Sequence, residues 1–79
     1  MDNINKGALM DWIISKFKKP NNFQAVDVTL LDTSGGRLLN IAIYRELEDT
    51  WELLIDKHNY QGCKVIAWKE RPAVYEGKV

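Results

Sequence analysis

Residues 23–46 read FQAVDVTLLDTSGGRLLNIAIYRE, a stretch that leaves its own fold little choice. Val26, Val28 and Leu30 alternate with Asp27 and Thr29, and Leu39, Ile41 and Ile43 then alternate with Asn40 and Ala42. A two-residue period is that of a β-strand, whose successive side chains point to opposite faces. Between the two runs, DTSGG supplies side chains that bond their own backbone and glycines that accept positive φ. The expectation is a hairpin. A phosphate-cradling nest would need a helix directly after the glycines, and a strand pattern follows instead.

The remaining segments must pack on that hairpin. Over 5–17 the apolar residues Leu9, Trp12, Ile13 and Phe17 recur at helical spacing, with Met10 and Ile14 widening the face. Asn5 is an N-cap type, Lys16, Lys18 and Lys19 suit a helix C-terminus, and Pro20 stops the run. A second helix is expected over 49–59. There Leu47, Trp51, Leu54, Ile55 and His58 fall on one face, and Asp49 with Glu52 resembles a capping box. CKVIAWKE, residues 63–70, reads as a third strand with imperfect alternation. Cys63, Val65 and Ala67 point one way, and Ile66 and Trp68 the other.

These elements give an α+β fold of α-β-β-α-β order. The sheet is three-stranded and mainly antiparallel, with strand order 2-1-3, and packs with two helices. A chain of 79 residues makes one domain, 1–79, with 1–4 and 73–79 as loosely ordered tails. Its core must be thin, which leaves little room for a deep substrate pocket.

Composition narrows the functional classes. The single cysteine, Cys63, excludes an internal disulfide and fits a reducing, cytoplasmic setting. Eleven basic residues balance eleven acidic ones, so no global attraction to nucleic acid or anionic lipid exists. A lone His58 and a lone Cys63 cannot build a four-ligand zinc site, and no other metal spacing is present. No cofactor is implied. Without a recognised catalytic constellation the reading is non-enzymatic.

Charge is segregated along the chain. Residues 44–56 hold five carboxylates and one arginine, a net −4, whereas 57–79 hold five bases and two acids, a net +3. On a helix Glu48, Asp49, Glu52 and Asp56 share one flank, with Leu53 pointing out among them; Glu46 lies just before it. Most of these acids also suit a helix start, where negative charge complements the dipole. The basic counterpart is Lys64, Trp68, Lys69 and Arg71 on the third strand. Such a dipolar surface suits docking to a protein of mixed charge. The same basic strand, with Trp68 as a stacking platform, would serve a nucleic-acid binder, against which the zero net charge counts. An oligomerisation domain held by the broad face of the first helix is a third reading, and a monomer or weak homodimer the expected state. The WIISKFKK run has residues suited to a membrane surface, but a core helix snorkelling its lysines explains it as well.

From Ile43 onward the chain resembles the small host-RNA-polymerase inhibitor proteins of T7-like podophages. The resemblance rests on Ile43-Tyr44 closing a strand, on the acidic-apolar ELEDTWELLID, on Tyr60 and Gly62, and on Lys69-Glu70-Arg71-Pro72. It implies a strand-strand-helix-strand domain that binds bacterial RNA polymerase near its DNA channel. Lys69 and Arg71 would take the family's basic positions, and Glu46, Glu48 or Asp49 its acidic ones. This chain departs in its lysine at the first basic position, its shorter Tyr-to-Gly spacing and the extra N-terminal helix expected here, which the family replaces with a flexible segment.

Overall fold

The structure, a computed structural model, describes residues 12–72 and 77–78. Its elements are β1 (Ile13–Ile14), β2 (Ala25–Leu31), β3 (Arg37–Arg45), β4 (Thr50–Leu53), a 3-10 turn (Lys57–Tyr60) and β5 (Lys64–Glu70). They form one five-stranded sheet in the order β1-β5-β2-β3-β4, with every neighbouring pair antiparallel.

The hairpin is present. Its turn is closed by Gly35 N–H to the Asp32 carbonyl at 3.1 Å and by Asp32 N–H to the Gly36 carbonyl at 2.9 Å. Gly35 takes φ 94°, a conformation that β-carbons disfavour. The Asp32 carboxylate accepts from the Ser34 amide, the Ser34 hydroxyl and the Gly36 amide, which lowers its pKa.

The α+β expectation is overturned: among the described residues no α-helix occurs. Of the helix expected over 5–17, residues 5–11 lie outside the described residues, as does the expected tail 1–4. In the rest, Ile13 and Ile14 pair with Trp68 and Ala67, and a turn follows. The helix expected over 49–59 is replaced by β4 and the 3-10 turn. Trp51 and Leu53 alternate with Thr50 and Glu52, so the segment satisfies a strand period as well as a helical one. Tertiary pairing decides between them: β3 has an open edge, and β4 fills it in the register Tyr44↔Trp51 and Ala42↔Leu53. Asp49 and Asp56, both left-handed at φ 53° and 50°, interrupt any helix there. Of the expected C-terminal tail, 73–76 and 79 lie outside the described residues.

β5 explains its own imperfect alternation. Thr29 pairs with Ala67 but Leu30 with Val65, so Ile66 is an extra residue, a β-bulge. The bulge resets the parity of the strand, and Val65 and Trp68 both pack on the core. Ser15 secures this distortion, its amide donating to the Ile66 carbonyl at 3.0 Å and its hydroxyl to the Val65 carbonyl at 2.8 Å. Trp68 is 3% exposed and donates its indole N–H to the Lys18 carbonyl at 2.8 Å. The core is otherwise Val26, Val28, Leu30 and Ala42, flanked by Ile13, Leu38, Trp51, Leu53 and Val65.

Candidate functional site

The register of the hairpin decides what the molecule presents to solvent. Val28 lies opposite Asn40 and Val26 opposite Ala42, so Asn40 and Ala42 share the inner face with the valines and are buried. Leu39, Ile41 and Ile43 therefore point outward. Leu39 is 73% exposed, and Ile41 and Ile43 are half-buried. A strand has turned its greasier side to water and kept an asparagine inside. The asparagine is satisfied, its amide donating to the Ile55 carbonyl at 3.0 Å and its oxygen accepting from the Ile41 amide at 2.6 Å.

Around Ile41 the outer face forms a shallow hollow of about 290 Å³, lined by Trp12, Leu39, Ile41, Ile55, Asp27 and the two bases Lys69 and Arg71. The Lys69 ammonium sits 4.9 Å from the centre of the Trp12 ring, within cation–π range. Asp27 lies between Ile41 and Lys69 across the ladder and accepts from Arg71 Nη1 at 2.8 Å. The hollow thus has an apolar floor, one ion pair and one lysine stacked on an indole.

The basic strand read from the sequence is split by the sheet. Lys69 and Arg71 meet in this hollow. Trp68 is core, so it provides no stacking platform, and Lys64, on the other side of the bulge, lines a different groove. The acidic residues do not form a flank either. Glu46, Leu47, Glu48 and Asp49 make the turn between β3 and β4. Asp49 accepts from the Tyr44 hydroxyl at 2.5 Å, and this bond first, with burial adding to it, pushes the Tyr44 pKa up to about 12. Glu52 accepts from Arg45 Nε at 2.9 Å and Nη2 at 2.5 Å, and those bonds hold its carboxyl below the ordinary range. Asp56 stands apart in an exposed left-handed turn. Leu53, expected to point outward, packs on the core, whereas Leu47, expected inside, is 94% exposed at the hairpin tip.

A second, larger groove of about 780 Å³ is lined by β4, the 3-10 turn and the start of β5. Two strands separate β4 from β5 in the sheet, yet both contribute to the lining of this one seam. Leu30 forms the floor, and Trp51, Leu53, Tyr60, Cys63 and Val65 the apolar walls. Exposed His58 and half-buried Cys63 line it together. Among the described residues, no three metal-ligating side chains gather, and no helix is long and apolar enough to cross a membrane.

Sequence reasoning missed Trp12, Leu39, Ile41 and Ile55 as surface residues because their apolar character reads as core. The signal lay in the competing parity of β3, where Leu38 and Tyr44 share a face with Asn40 and Ala42. No protein-family model, curated protein or solved structure matches this chain.

Proposed function

We propose that this chain is a protein-binding module that docks through the outer face of its sheet. The observation that carries the reading is the parity of β3: Leu39, Ile41 and Ile43 face out while Asn40 is buried. Facing apolar side chains to water forfeits about 25 cal/mol for each Å² left uncovered, a loss that a docked partner recovers. Exposed Ile14 continues the apolar surface along the row Ile14, Ala67, Thr29 and Leu39. Lys69 at the margin favours a partner whose apolar centre is bordered by carboxylates.

The resemblance of the C-terminal half makes bacterial RNA polymerase the first partner to test. The segment matching that family's helix is β4 and a 3-10 turn here, so Lys69 and Arg71 are the carried-over positions that coincide with the proposed surface. A nucleic-acid reading is disfavoured on two grounds. Trp68 is buried, and Arg71 is already held by Asp27.

Leu39→Asp and Lys69→Glu test the proposal, since neither residue belongs to the buried core. Immobilised wild-type protein is expected to retain purified bacterial RNA polymerase, or another single complex from bacterial lysate, and each variant to lose it. Equal retention by wild type and both variants would refute docking through this face.

A further inference from the structure

Beyond the outer face, the geometry points to a second recognition site: the free edge of β4 accepts an extended, acidic peptide segment as an added strand. Among the described residues β4 ends the sheet, and no strand pairs with its outer edge. Which backbone groups it offers follows from the phase of the ladder. Leu54 N–H donates to the Ile41 carbonyl at 2.8 Å, so 41 and 54 form a hydrogen-bonded pair. Hydrogen-bonded and non-bonded pairs alternate in an antiparallel ladder. Ile43↔Glu52 and Arg45↔Thr50 are then bonded pairs, and Ala42↔Leu53 and Tyr44↔Trp51 are not. The amides and carbonyls of Trp51 and Leu53 consequently point away from β3, along the outer edge of β4.

That edge is not bare. It forms one wall of the seam groove, whose other wall is the 3-10 turn and the start of β5. A strand laid along β4 has about 13 Å of edge to pair with, enough for four residues. Side chains pointing inward meet Trp51, Leu53, Tyr60 and Val65 around Leu30. Affinity in such strand addition comes from main-chain hydrogen bonds and selectivity from pockets for alternate side chains.

The charge of the groove selects the occupant. Its cations are Arg45, Lys57 and Lys64, and its one carboxylate, Glu52, is held by Arg45. Lys57 and Lys64 are exposed and, among the described residues, neither makes an ion pair, although Lys57 lies near enough to Glu52 to favour its charged form. The complementary segment alternates apolar residues with carboxylates, placing the carboxylates at the groove mouth.

The test uses the intact chain, isotope-labelled, with a blocked hexapeptide alternating valine with glutamate. Its binding is expected to shift the Trp51 and Leu53 amides and slow their hydrogen exchange. A peptide N-methylated at all its amides is expected not to bind. The double variant Lys57→Glu, Lys64→Glu, altered only at exposed positions, is expected to bind the acidic peptide about tenfold more weakly. The proposal fails if the methylated peptide binds equally, if no shift occurs, or if the shifts cluster around Ile41 instead. Equal binding of a valine–lysine hexapeptide would overturn the choice of an acidic partner. Protection of the same two amides in a peptide-free dimer would assign the edge to a second copy of the chain and overturn the peptide reading.

Discussion

At the scale of single residues, few side chains hold this molecule together. Leu30, Val26 and Val28 are its largest fully buried side chains. Leu30→Ala leaves a cavity at the floor of the seam groove and is expected to cost about 3 kcal/mol, a large share of a small domain's stability. Denaturant unfolding monitored by tryptophan fluorescence checks it. Two titrations frame the pH range of the fold. Glu52 has a folded-state pKa below its ordinary value of 4.5, so its contribution is complete above that value and fades as acid passes through the lowered one. Tyr44 has a folded-state pKa raised from 10.0 to about 12. The neutral hydroxyl is therefore the form the fold favours, and its contribution is lost as pH climbs from 10.0 to about 12. Tyr44→Phe is expected to flatten the alkaline limb of stability against pH, and Glu52→Gln the acid limb. Unchanged limbs in urea titrations would remove these two groups from the account.

At the scale of elements, legibility depended on how far a segment's neighbours could overrule it. The β2–β3 hairpin was readable because its alternation, its turn chemistry and its length agreed. The helix over 49–59 was not there, because a short run containing Trp51, Leu53, Leu54 and Ile55 fits both periods, and only the open edge of β3 chooses. β5 carried its bulge in plain sight as a break in alternation, yet a break alone does not say which half is inverted. Ser15 supplies the missing information from 50 residues away by bonding the Val65 carbonyl. Ser15→Ala should leave that carbonyl without its hydroxyl donor and cost about 1–2 kcal/mol. Thermal unfolding of the variant beside wild type measures this, and an unchanged midpoint would show that the bulge needs no clamp.

At the scale of the whole molecule, the candidate site was the least legible part. Lys69 and Arg71 were identifiable as bases at the end of a strand, but their neighbours Leu39, Ile41 and Ile55 looked like core. A surface built from core-type residues is invisible to patterning until the register is known. The fold also sorts its charges, placing Lys69 beside one hollow and Lys57 and Lys64 beside the other. Leu39→Asp is expected to change stability by no more than about 0.5 kcal/mol, as for an exposed position, while abolishing partner retention. A large loss of stability would mean instead that Leu39 is a structural residue.

The turn at Asp32 to Gly36 acquires a different significance from this. Pairing in β3 follows from the length of that turn, and a slip by one residue exchanges the two sides of a strand. The alternative register would hide Leu39, Ile41 and Ile43 and turn Leu38, Asn40, Ala42 and Tyr44 to water, giving the chain a different exterior. Five small residues thus act as a spacer that sets the address of the interface from the far end of the strand. Lengthening the spacer by one residue would exchange one exterior for the other.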